Sequence, residues 1–233
     1  MIKAVFFDWF NTLAHFDPPR HELYIQVFRQ FGIELPAKEV IRGIFTADQY
    51  FFAENAKSRV KERSREERIE VFVRYPEAIL AEARVEAPKE LLLKVVDTVA
   101  QQFKGATFTL FDDALPTLKT LKERKFILGL LTNLNKDMNS LCRELGLEPY
   151  LDFVVTPGQV GADKPEPSIF LAALQRAEVN ASEAVHVGDQ YNLDVLGARR
   201  VGITPVLIDR YDLYPEVSDC HRIHRLTELA EYL

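Results

Sequence analysis

Short runs of consecutive apolar residues recur along this chain, each long enough for a strand and too short for a helix, and this pattern limits the possible folds most. The runs are Lys3–Phe7 (KAVFF), Phe126–Leu131 (FILGLL), Phe153–Val155, Ala184–Val187 (AVHV) and Pro205–Ile208 (PVLI). Strands that are apolar on both faces are the mark of a parallel sheet covered by helices on either side. Helical stripes lie between the runs. Leu115, Leu118 and Leu121 recur at a spacing of three, Met138, Leu141 and Leu145 at three to four, with Gly146 as a stop, and 169–177 and 193–201 behave alike. Strand alternating with helix predicts right-handed βαβ units and an α/β fold built on a doubly wound parallel sheet.

Residues 16–105 break the alternation, with no run that reads as a strand. Leu23, Val27, Phe28 and Phe31 form a helical stripe ending at Gly32, and Val40, Ile41, Ile44 and Phe45 begin another. Ser64-Arg65-Glu66-Glu67 is a capping-box signal, and Leu91, Leu92, Val95, Val96 and Val99 close the set. The expected organisation is an α/β core from 1–15 and 106–233, with an α-helical cap domain, 16–105, inserted after the first strand. Joints near 15–19 and 104–109 would act as a hinge for a lid.

Composition excludes several classes. The 29 Lys and Arg against 35 Asp and Glu give a net charge of −6, which argues against a general nucleic-acid binder. Cys142 and Cys220 are far apart and form no CxxC pair, which excludes a disulfide framework and a thiolate zinc site. No apolar run reaches 18 residues, so no membrane-spanning helix is expected. The short N-terminal apolar stretch runs at once into Asp8, unlike a signal peptide. The expectation is a cytoplasmic protein with no membrane partner.

In a parallel sheet, ligands bind beyond the carboxyl ends of the strands. KAVFF is followed by Asp8-Trp9-Phe10-Asn11-Thr12, FILGLL by Thr132-Asn133, and AVHV by Gly188-Asp189, with Asp194 five residues on. Lys164-Pro165-Glu166-Pro167 lies between the last two. Asp8 and Asp189 suit a hard divalent cation such as Mg²⁺. Thr132, Asn133 and Lys164 suit the oxygens of an anionic group, and a carboxylate beside them could attack it covalently. Plainer roles exist for each: Asp8 capping a turn, Thr132 and Lys164 as loop or surface groups, Asp194 in a helix's first turn, Asn11 and Asn133 as loop braces. The basic run Lys57, Arg59, Lys61, Arg63 and Arg65 reads as a solvated face or as an attractor of anions. His221 and His224 have no further metal-ligand partner in the sequence.

VFFDWFNTL (5–13), LLTN (130–133), KPEPSIF (164–170) and VGDQYNLDVLGARRVG (187–202) together resemble the haloacid dehalogenase superfamily of hydrolases, in that family's order and over essentially the whole chain. The resemblance implies a Rossmann-like core with an inserted cap. It implies Asp8 as nucleophile, Thr132 as donor to a phosphate oxygen, Lys164 as charge neutraliser, Asp189 as metal ligand and Asp194 as support. It also implies a Mg²⁺ ligand in the main-chain carbonyl of Phe10, and a small phosphorylated substrate.

Phe10 departs from the pattern. Phosphatases of the family usually carry Asp there, as acid for the leaving alcohol and base for water. The family's dehalogenases carry a non-acidic residue, often aromatic, and a phosphonate-cleaving branch opens with a DWAGT-like motif. Those dehalogenases need no metal and replace Gly-Asp with a Ser-x-Asn pattern, whereas Gly188-Asp189 is intact here. The metal signature outweighs the missing acid. The expected activity is therefore Mg²⁺-dependent phosphate ester hydrolysis through an aspartyl-phosphate. The alternatives are a metal-independent 2-haloacid dehalogenase, with Arg42 as its carboxylate-binding arginine, and a non-catalytic phospho-ligand-binding relative. His15, at the hinge, is a candidate replacement proton donor.

Overall fold

A computed structural model describes residues 1–233. The chain divides into two compact units, Met1–His15 with Phe108–Leu233, and Phe16–Thr107. No helix is long and apolar enough to cross a membrane.

The discontinuous unit begins with β1 (Ala4–Phe7) and part of β2 (Ala14–Asp17). The second unit holds α1 (Arg20–Gln30), α2 (Ala37–Lys57), α3 (Arg65–Phe72), α4 (Arg74–Glu82) and α5 (Lys89–Gln102). Then follow β3 (Thr107–Leu110), α6 (Ala114–Glu123), β4 (Ile127–Leu131), α7 (Met138–Glu144), β5 (Phe153–Val155), α8 (Pro157–Val160), α9 (Pro167–Ala177) and β6 (Ala184–Gly188). A π-helical turn, Tyr191–Val195, runs into α10 (Leu196–Arg200), and β7 (Thr204–Ile208) and β8 (His221–Ile223) complete the chain. The strand at Ala14–Asp17 extends into the segment expected to be purely helical. It pairs with β3, so the two chain crossings form a two-stranded sheet. The expected helix 193–201 opens instead as the π-turn.

The main sheet has the order β5-β4-β1-β6-β7-β8, and every neighbouring pair is parallel. The chain winds outward from β1 through β4 to β5, then returns to β6 on the other side of β1 and winds outward again. The reversal beside β1 is the topological switch point, where doubly wound sheets open a crevice beyond their carboxyl ends.

The apolar runs form strands because both faces are covered. Val5 and Phe7 face one core with Leu118, Leu121, Leu128, Leu130 and Cys142, while Ala4 and Phe6 face another with Ile169, Phe170, Ala173 and Ala198. Each fully buried large side chain contributes about 1.5–3 kcal/mol. The helical unit has its own core of Leu23, Val27, Phe28, Val40, Ile44, Ile79 and Val95. Ser64 and Glu67 form the expected capping box. Two of the basic-run residues share one carboxylate: Arg63, mostly buried, and Lys57, exposed, both pair with Glu54.

Candidate active site

Asp8 follows β1 and Asp189 follows β6, the two strands that flank the switch point. Thr132 follows β4 at the same edge of the sheet. Each strand ends where its apolar run meets a polar residue, so the alternation that builds the sheet also sets these side chains at its carboxyl edge.

Carboxylate oxygens of Asp8, Asp189 and Asp194 lie within 4.8 Å of one another. The Lys164 ammonium sits between two of them, 2.5 Å from Asp8 Oδ1 and 2.7 Å from Asp194 Oδ1. Asp194 also lies 2.9 Å from His186 Nε2 and accepts the Gln190 N–H at 3.0 Å. Asp189 accepts from the side-chain amides of Gln190, at 2.8 Å, and Asn11, at 3.2 Å. The Thr12 hydroxyl donates to Asp8 Oδ2 at 3.4 Å. Gly188 is required here because a Cβ at that position would fall 2.1 Å from Asp194 Cγ.

The charges are unevenly compensated. Burial raises Asp8 from its ordinary 3.8 to about 6, against the lowering pull of Lys164 and with a further push from Asp194. Burial also opposes ionisation of Asp194, but Lys164 and His186 overcome it and hold that carboxyl below the usual range. Asp189 is pushed well above the ordinary value by burial and by the neighbouring Asp8 and Asp194 charges, and its amide partners offset this only in part. The all-oxygen donor set of Asp8 and Asp189 fits a hard divalent ion better than a soft one.

The other expected residues are placed as follows. Lys164 is buried and its main chain is pinned by Asn133, which accepts Lys164 N–H at 2.6 Å and donates to its carbonyl at 3.0 Å. Asn133 thus acts as a loop brace in this state. Thr132 is buried and its hydroxyl accepts the Leu134 N–H at 3.1 Å. Phe10 is half-buried and packs edge-on to Phe108. His15 lies against the Phe111 ring, with centroids 4.7 Å apart. Arg42 pairs with Glu82 at 3.7 Å within the helical unit. His221 lies tilted against the Tyr232 ring and His224 Nδ1 bonds the Asp209 carbonyl, so they do not converge on a common ligand.

Sequence reasoning missed His186, Gln190 and Arg210. A histidine inside the buried run AVHV is itself a signal, because a buried polar group needs a partner. Asp209-Arg210, directly after PVLI, is found by the rule that located Asp8 and Asp189. Gln190 carries no such signal.

Against this geometry, the family model for haloacid dehalogenase-like hydrolases matches residues 2–202. The chain belongs to that family and is a hydrolase. It is 36% identical over 137 residues to glyceraldehyde 3-phosphate phosphatase of Methanopyrus kandleri, an alignment covering 57% of this chain and 58% of that one. Among solved structures it is similar to a HAD phosphatase from Thermococcus onnurineus, with a TM-score of 0.58, 27% identity and coverage of 99% of this chain and 97% of that one. It is similar too to a 2-haloacid dehalogenase from Pseudomonas syringae, with a TM-score of 0.55, 26% identity and the same coverage, 99% and 97%.

Proposed function

We propose that the protein is a Mg²⁺-dependent phosphohydrolase acting on small phosphorylated substrates through an aspartyl-phosphate on Asp8. The observation that carries this reading is geometric: carboxylate oxygens of Asp8, Asp189 and Asp194 converge within 4.8 Å at the switch point, and the Lys164 ammonium contacts Asp8 and Asp194. The likeness to the Methanopyrus and Thermococcus phosphatases supports the choice of phosphate ester.

In this reading Asp8, Asp189 and the Phe10 carbonyl would hold Mg²⁺, which when bound would offset the charge of the phosphoryl oxygens. Asp8 attacks phosphorus and forms a P–O bond as the bond to the leaving oxygen breaks, the electron pair departing with that oxygen. Water then attacks phosphorus and the bond to Asp8 breaks, restoring the carboxylate and releasing inorganic phosphate, which with the solvent takes up the protons of that water. Lys164, held by Asp8 and Asp194, has a third N–H for a phosphoryl oxygen. Thr132, whose oxygen already accepts Leu134 N–H, has its proton to donate. Asp194 and His186 keep the ammonium in place.

The test is turnover of p-nitrophenyl phosphate and a panel of phosphorylated metabolites with and without Mg²⁺. Loss of activity on chelation and in folded Asp8→Asn and Asp189→Asn proteins is expected. Full activity after chelation would overturn the metal assignment, and substantial turnover by Asp8→Asn the covalent one. The second reading, a 2-haloacid dehalogenase, is favoured by Phe10 and by the Pseudomonas syringae likeness, and predicts chelator-resistant halide release from 2-haloacids. A beryllofluoride adduct on Asp8 separates the phosphohydrolase from a non-catalytic binder.

A further inference from the structure

The turn that follows the nucleophile strand is held from outside itself. Asn11 adopts a left-handed φ of 57°, a conformation asparagine tolerates better than most residues. The turn closes through Asn11 N–H to the Ala14 carbonyl at 2.7 Å, and through Leu13 and Ala14 N–H to the Trp9 carbonyl at 3.0 Å. The carbonyls of Asn11 and Thr12 both accept from Arg210, at 3.2 Å from Nε and 2.7 Å from Nη2.

Arg210 is itself clamped. Its other edge makes a forked ion pair with Asp113, at 3.1 and 2.9 Å. Its guanidinium carbon lies 3.7 Å from the centre of the Phe111 ring. The two side chains are 9% and 2% exposed. Asp113 in turn accepts the Leu226 N–H at 2.8 Å, tying the clamp to the C-terminal segment. A rigid planar fork is what such a pattern of acceptors demands, and lysine cannot supply it.

The held turn carries two side chains that touch the reacting centre. Asn11 donates to Asp189 Oδ2 and Thr12 donates to Asp8 Oδ2. We propose that Arg210 is a positioning residue: clamped by Asp113 and Phe111, it fixes the Asn11–Thr12 turn so that Asn11 orients Asp189 and Thr12 orients Asp8. The inference rests on the roles given to those two aspartates above.

The experiment compares the unmodified protein with Arg210→Met, Arg210→Lys and Asp113→Asn, all assayed well below their melting temperatures after circular dichroism has verified folding. A displacement of about 1 Å at a reacting centre costs on the order of 10²-fold. The expected result is a loss of about that size in kcat for Arg210→Met, with KM changed far less. Arg210→Lys should recover melting temperature more than kcat, because it restores the charge and not the fork. If Arg210→Met does not fold, Asp113→Asn, which removes the charge and one arm of the forked pair, carries the same test. A folded variant that keeps the full kcat overturns the proposal. Crystal structures of the variants provide a readout that needs no turnover: loss of the Asn11–Asp189 contact supports the positioning role, and its retention overturns it. Should the unmodified protein hydrolyse no phosphate ester, the functional reading falls alone and the structural readout still decides.

Discussion

At the scale of single residues, Phe10 sets a kinetic signature. A placed general acid contributes about 10²–10⁴-fold, and a phenyl ring packed on Phe108 supplies none of it. Leaving groups that depart well as anions should therefore be favoured. Aryl and acyl phosphates should turn over far faster than sugar phosphates, and log kcat should fall steeply with leaving-group pKa. Phe10→Asp should flatten that slope, at a stability cost of about 1–3 kcal/mol for placing a carboxyl in a packed position. Equal rates on alkyl and aryl esters in the unmodified protein would show that another group donates the proton, with His15 the first to replace. A second signature lies in pH. In the proposed metal site Asp8, raised to about 6, and Asp189, raised well above its ordinary value by burial and by its charged neighbours, would have to lose their protons to hold a cation. Magnesium affinity, measured calorimetrically, should weaken as pH falls below about 6, with proton release seen in buffers of different ionisation enthalpy. The sign for the fold is the reverse. Between about pH 4 and 6 the folded metal-free protein keeps protons that the unfolded chain has lost, so this site makes the protein less stable as pH rises through that window. Asp194, held below the usual range, acts oppositely, and only below its ordinary 3.8.

At the scale of elements, the end of β6 and the π-turn after it form one device. The wide turn brings Asp194 back over the strand end, where it meets Lys164 and His186 and occupies the space that a Cβ on Gly188 would need. Gly188→Ala should push Asp194 off the ammonium, lowering kcat by about 10²-fold and stability by about 1–3 kcal/mol. Thermal melts beside steady-state kinetics check both numbers, and an unaffected variant would mean that the turn shifts without disturbing Asp194. Most of the sheet was legible in the sequence because AVFF and AVHV are buried throughout and FILGLL nearly so, and short apolar runs of that kind suit a strand covered on both faces. The strand Ala14–Asp17 was not legible: AHFD mixes polar and apolar residues and is a strand only through its pairing with Thr107–Leu110. The candidate site was legible where a polar residue directly ends an apolar run, as at Asp8, Thr132 and Asp189. The environment of Asp194 was not, because it depends on a π-turn that the apolar spacing reads as an ordinary helix. The clamp on Arg210 was hidden for a similar reason, since its partners at Asn11, Thr12 and Asp113 are about two hundred and about one hundred residues away along the chain.

At the scale of the molecule, two units with separate hydrophobic cores should not melt as one cooperative block. Scanning calorimetry should give a calorimetric enthalpy larger than the van't Hoff value. Magnesium and phosphate should move the transition of the α/β unit and leave that of the helical unit in place. A single two-state transition shifting as a whole would show that the units unfold together. The placement of β1 at the middle of the sheet has a further consequence, for the order in which the protein can be made. Its partners are Ile127–Leu130 on one side and Ala184–Val187 on the other, so the strand bearing Asp8 emerges from the ribosome long before either. At roughly 5–20 residues per second, the second partner follows about ten to forty seconds later. Throughout that interval AVFF, which ends fully buried, has no sheet to join. The helical unit, complete within residues 16–107, has its own core to collapse on meanwhile, so the inserted segment is free to fold before the strand that leads into Asp8 finds its partners.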